Sequence, residues 1–143
     1  MKHLFIAVGF FFVFNHALWA EEGIDSPKSY QTDTLPDGTV VYLNPDTFAS
    51  FPGGNKAMIE FINRNLKYPI HAMESSFQGT VVIKMVIREN GRISNIVVVR
   101  SVHEMLDKEA ILAVSLMPDF IPAKVKGENV ASCFTMPVRF TLY

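Results

Sequence analysis

The sequence predicts an α+β fold: two helices packed on one face of a three-stranded antiparallel/mixed sheet, with a long edge strand at the carboxy end. Three observations carry that prediction. Residues 81–87 alternate apolar side chains with the period of a strand, and residues 58–66 repeat them at helical spacing. The stretch 130–142 alternates again over thirteen residues, about twice the five or six of an ordinary strand.

The elements follow in chain order. Residues 21–50 are rich in acidic, Ser, Thr, Pro and Gly residues and read as a linker. Within it Leu35-Pro36-Asp37-Gly38 signals a turn, and Thr39-Val40-Val41-Tyr42-Leu43 reads as one short strand closed by Asn44-Pro45. Residues 51–143 form the domain. Gly53-Gly54 frees the chain to turn, Asn55 is positioned as an N-cap, and Met58, Phe61, Ile62 and Leu66 line one helical face. Tyr68-Pro69 stops that helix, because a residue preceding proline disfavours helical geometry.

After Gly79, the side chains of Val81, Ile83, Met85 and Ile87 form one apolar strand face, opposite Thr80, Val82, Lys84, Val86 and Arg88. Glu89-Asn90-Gly91 makes the hairpin turn, since Asn and Gly accept positive φ, and the strand returns over 92–100. A second helix begins at Asp107 as cap. Glu109 sits in its first turn, and Leu106 and Ile111 occupy the positions of a hydrophobic staple. Ala110, Ala113, Val114 and Met117 face the sheet, and Pro118 ends the helix. In the last strand Val130, Phe134, Met136, Val138, Phe140 and Leu142 share one face with Ser132.

Connectivity then locates the edge. Strand, hairpin, strand, helix, strand returns the third strand parallel to the second, and a right-handed crossover places it beside the first, giving the order second, first, third. Pro137 agrees, because a residue without an amide hydrogen is confined to edges, strand starts and bulges. Half of the backbone polar groups along 130–142 are therefore expected to lack a partner within the chain, and an exposed edge of that length is either protected or used. The expected binding residues are Ser132, Cys133, Phe134, Thr135, Met136, Val138 and Arg139, acting through the backbone, with Arg139 suited to an acidic residue of an incoming strand. The alternative is an edge covered by residues 35–43.

Composition bounds the function classes. A chain of 143 residues, 49% hydrophobic, suits one domain with a modest core. A net charge of -1 gives no electrostatic reason to expect nucleic acid or an anionic membrane surface as partner. The single Cys133 excludes an intramolecular disulfide. His71 and His103 have no companion at metal-ligand spacing, and Cys133 has no sequence neighbour that would activate it. Nucleophile elbow, phosphate loop and dinucleotide fingerprint are all missing, so neither an enzyme nor a cofactor or metal protein is expected.

Residues 1–20 carry the signs of a signal peptide: Lys2, an eleven-residue run from Leu4 to Phe14 and a small residue, Ala20, before Glu21-Glu22. The run is short of the roughly 20 apolar residues of a spanning helix. Cleavage after Ala20 predicts a periplasmic protein; a retained segment would anchor it in the inner membrane facing the periplasm, the one case in which the chain touches a membrane.

Phe51-Pro52-Gly53-Gly54, Tyr68-Pro69 with Ala72, Gly79 with Val81, Asn90-Gly91, Leu106-Asp107 with Glu109-Ala110, Met117-Pro118 with Phe120 and Pro122, Gly127, and Pro137-Val138 with Phe140 stand in a fixed order over about ninety residues. In that order and spacing the chain resembles the carboxy-terminal domain family of TonB, energy transducers that couple the inner membrane to outer-membrane receptors. The Phe51-Pro52-Gly53-Gly54 lead-in is similar to that of Bacteroidetes members. The resemblance implies a protein-binding module whose last strand receives a receptor peptide, the TonB box, as an added strand during transmembrane transport. It also implies a proline-rich spacer. Residues 21–50 show none, and fully stretched they would reach at most about 100 Å. A second reading therefore stands beside the first: a stand-alone envelope interaction protein, homodimeric through the same edge, without energy coupling.

Overall fold

The structure, a computed structural model, describes residues 27–143; the expected signal peptide lies outside them. Two short strands, β1 (Thr32–Thr34) and β2 (Val40–Tyr42), precede two helices, α1 (Gly54–Asn65) and α2 (Ile70–Glu74). A hairpin of β3 (Gly79–Ile87) and β4 (Ile93–Arg100) leads into α3 (Glu104–Ser115), and β5 (Ala123–Val125) and β6 (Glu128–Phe140) close the domain. The sheet runs β1-β2-β6-β3-β4, with β5 paired to β6. The expected order second, first, third is present as β4-β3-β6, but the count of three strands and two helices is corrected to six and three among the described residues.

The additions are short. α2 is a single turn of five residues started by Pro69, and β5 has three residues, too few for any periodic pattern to register. β5 meets β6 through Lys126-Gly127, both at positive φ (51° and 80°), a two-residue hairpin turn whose strand twist suits its neighbours. β1 and β2 form an antiparallel pair, and β2 then joins β6 in parallel at Val41–Ala131 and Tyr42–Ser132.

Two helix starts also differ from expectation. α1 is preceded by Gly53 in the left-handed region (φ 89°), where glycine alone carries no Cβ penalty, so Asn55 lies inside the helix and caps nothing. α3 begins three residues ahead of Asp107, with His103 as cap: its Nδ1 accepts the Met105 amide at 3.2 Å while its ring stacks on Phe77 with centroids 4.1 Å apart. Asp107 instead reaches back to accept from the Val102 amide (3.2 Å) and the Ser101 hydroxyl. A carboxylate there still complements the amino end of the helix.

The core occupies one face of the sheet. Val81, Ile83, Met85 and Ile87 of β3 are all fully buried, as their alternation demands, against Leu106, Ala110, Ala113 and Val114 of α3 and Met136, Val138 and Phe140 of β6. Aromatic contacts join the lead-in of α1 to β6: Phe51 packs on Phe61 and Phe120, and Phe120 on Phe134. Asn90-Gly91 turns the β3–β4 hairpin as expected, and only glycine fits, since a Cβ on Gly91 would lie 2.1 Å from the Phe120 carbonyl oxygen. On the opposite face a small cluster of Val41, Val86 and Ala131, with Leu35 and Cys133 against it, seats the β1–β2 hairpin.

Candidate functional site

β6 is bordered differently along its length. Glu128–Val130 pair with β5, Ala131 and Ser132 pair with β2, and Ser132–Phe140 pair with β3 in nine consecutive antiparallel positions. From Cys133 to Phe140, the side of β6 away from β3 pairs with nothing among the described residues. The expected edge is thus present over eight positions, and its first part is not free.

The orientation of the free groups follows from Pro137. Pro137 stands opposite Val82 in an unshifted ladder, and having no amide hydrogen it can occupy only a non-hydrogen-bonded pair. Period two then turns the amides of Phe134, Met136 and Val138 toward β3, and those of Cys133, Thr135 and Arg139 toward the open side. Carbonyls alternate in the same way.

Of the seven expected binding residues, the structure gathers six on this edge. Ser132 is the exception: it is 1% exposed, its register partner on the edge side is Tyr42, and its hydroxyl has no partner among the described residues. Met136 and Val138 send their side chains into the core, Cys133 and Phe134 are half-buried, and Thr135 and Arg139 are exposed. Arg139 has no ion-pair partner among the described residues. Leu142 donates its amide to Gln78 Oε1 at 3.0 Å, which fixes the far end of the strand.

Sequence reasoning missed the second wall of the site. A groove of about 520 Å³ lies between the open edge, from Phe134 to Arg139, and one stripe of α1, formed by Asn55, Met58, Ile59, Ile62 and Asn63. Their spacing of three and four puts them on one side of the helix. Ile59 is 57% exposed there, between the buried Met58 and Ile62. In the sequence Ile59 is one more apolar residue beside the Met58–Ile62 stripe, and its exposure, which marks the groove, appears only in the folded chain.

The near end of the edge is set by the β1–β2 hairpin and its electrostatics. Arg88 reaches across to donate to Thr39 Oγ1 (2.6 Å), Asp37 Oδ2 (3.0 Å), Ser94 Oγ (2.8 Å) and Asn95 Oδ1 (3.2 Å). The Thr39 amide and hydroxyl, joined by Arg88, hold the Asp37 carboxyl below the ordinary carboxylate range. Asp46 is lowered likewise, chiefly by the Lys126 amide at 2.8 Å and the Lys28 ammonium at 3.1 Å. These bonds fasten residues 28–46 to the sheet.

No group of three or more metal-ligating side chains occurs among the described residues, and no helix among them is long and apolar enough to cross a membrane. The exposed His71 pairs with Glu74 at 3.5 Å, and His103 is occupied as a helix cap.

The sequence profile of the family described as Gram-negative bacterial TonB protein C-terminal matches residues 64–142. Two solution structures of the Helicobacter pylori TonB C-terminal domain are similar at 22% identity. One (residues 194–285) has a TM-score of 0.46, covering 60% of this chain and 90% of that one; the other (residues 179–285) has a TM-score of 0.48, covering 64% and 87%. No curated protein matches the chain.

Proposed function

The chain belongs to the family of Gram-negative bacterial TonB protein C-terminal domains, and from that premise we propose that it is a periplasmic protein-binding module in outer-membrane transport. Its open edge captures a short receptor peptide as an added strand. The observation that carries this reading is the eight-position edge from Cys133 to Phe140, with outward amides at Cys133, Thr135 and Arg139. Main-chain hydrogen bonds supply affinity in strand addition, and alternate side chains supply specificity. Ser132 is not part of the proposed contact, because β2 already occupies its edge side.

Thr135→Pro tests the proposal. The Thr135 amide points away from β3, so its loss removes no ladder bond and should cost less than about 2 kcal/mol; a residue inside the ladder would cost about 3 kcal/mol or more, by analogy with proline inside a helix. The expected result is a folded variant, judged by circular dichroism and urea melts, that no longer retains synthetic TonB-box peptides taken from receptors encoded in the same genome. Undiminished retention by the folded variant contradicts the proposal.

The domain layout of signal peptide, linker and binding domain completes it. Mature protein should begin at Glu21 and be released when the outer membrane is gently ruptured. Mass spectrometry that recovers intact residues 1–20 in the membrane pellet reverses this in favour of the anchored form.

A further inference from the structure

We infer that α1 makes the edge selective: the occupant of the groove is an extended segment of another protein that alternates bulky aliphatic side chains toward α1 with an acidic side chain beside Arg139. The inference rests on the strand-addition reading and adds the chemistry of the partner. α1 begins at Gly54, ten residues before the stretch matched by the family profile.

The geometry leads to the pattern in three steps. A strand laid along the open edge continues the pleat of β6, so its side chains point alternately to the core face and to the opposite face. On the core face they enter the groove beneath α1, where they meet Ile59, with its large exposed surface, and the rims of Met58 and Ile62. Branched aliphatic side chains cover such a surface and remove it from water. On the opposite face they lie beside Thr135, Pro137 and Arg139, the exposed side chains of this part of β6.

Charge selects the second half of the pattern. Among the described residues Arg139 is the only ionisable one lining the groove, and none of them gives it an acidic partner. A carboxylate on the incoming strand completes it, and a lysine or arginine there is repelled. Length is set as well. The α1 stripe from Asn55 to Asn63 spans about 12 Å, and β6 from Phe134 to Arg139 about 17 Å. The matched segment is therefore about five or six residues long. β2 closes the near end of the edge at Ser132, which fixes where it starts.

Selection from a displayed library of random dodecapeptides on the immobilised protein, with Ile59→Lys, Arg139→Glu and Thr135→Pro beside it, tests the inference. The expected consensus carries Ile, Leu, Val or Phe at alternate positions and Asp or Glu between them. A synthetic consensus peptide should bind folded Ile59→Lys about tenfold or more weakly. Arg139→Glu should exchange the acidic preference for a basic one, and Thr135→Pro should lose every selected peptide. Peptides lost with Thr135→Pro whose composition and affinity ignore both other variants overturn the role of α1 and Arg139 and leave strand addition standing. Three outcomes overturn strand addition of a foreign segment as well. These are peptides that survive Thr135→Pro, a selection that enriches nothing, and a dimer in sedimentation that Thr135→Pro dissolves.

Discussion

Single side chains decide which way β6 faces. Phe140 is 2% exposed and meets Tyr68 edge-on at a centroid distance of 5.5 Å, while the Tyr68 hydroxyl donates to the Phe77 carbonyl. One ring thereby ties the end of the edge strand to the α1–α2 connection and to the start of β3. Phe140→Ala should destabilise the protein by about 3 to 5 kcal/mol in urea melts, the usual cost of deleting a buried phenylalanine. That is a large part of a small domain's stability. A change under about 1 kcal/mol would mean that the faces of β6 are exchanged. Pro137 acts at the same scale with the opposite economy of means, since a missing hydrogen is enough to orient every amide between Cys133 and Arg139.

At the scale of elements, what the sequence revealed depended on how many residues repeated a pattern. The four-fold alternation of Val81 to Ile87, the turn at Asn90-Gly91 and the long run of β6 were legible because each is a strong local preference that agrees with its tertiary surroundings. α2, β1 and β5 have five, three and three residues, and no period can be read from so few. Helix starts failed for a different reason. Asn55 and Asp107 are good caps by type, but Gly53 took the first role through its own positive φ, and His103 took the second, held by its stack on Phe77, a contact distant in sequence. The same limit hid part of the site: the edge was visible from Pro137 and connectivity, and residues 35–43 were legible as a cover for it, but that β2 covers only Ala131 and Ser132, and that α1 stands beside the rest, appears only when the chain is folded. The β1–β2 hairpin gives a pH prediction. Asp37 and Asp46 have folded-state values below the ordinary 3.8, so their contribution is present above that value and is lost as pH falls through the depressed ones. Below about pH 4, amides of β2 should lose hydrogen-exchange protection before those of β3. Simultaneous loss would show that these carboxylates do not fasten the hairpin.

At the scale of the whole molecule, a sheet that would otherwise offer two long edges manages them differently. β4 is irregular, with two register shifts against β3 and Asn95 at positive φ, devices that twist an edge away from partners. β6 keeps a regular ladder, and among the described residues its outer side from Ala131 to Phe140 is covered only at Ala131 and Ser132, where β2 lies across it. The protein thus blunts one edge and leaves the other straight, beside a largely apolar groove, the arrangement on which the proposed strand capture rests. Residue-resolved amide exchange along β6 in the free monomer, repeated with a retained peptide, tests this most directly. Exchange should alternate in the free protein, fast at Cys133, Thr135 and Arg139 and slow at Phe134, Met136 and Val138, and a bound peptide should slow the first three alone. Uniform protection from Cys133 to Arg139 in the free monomer, or fast amides that a bound peptide leaves unchanged, would contradict it.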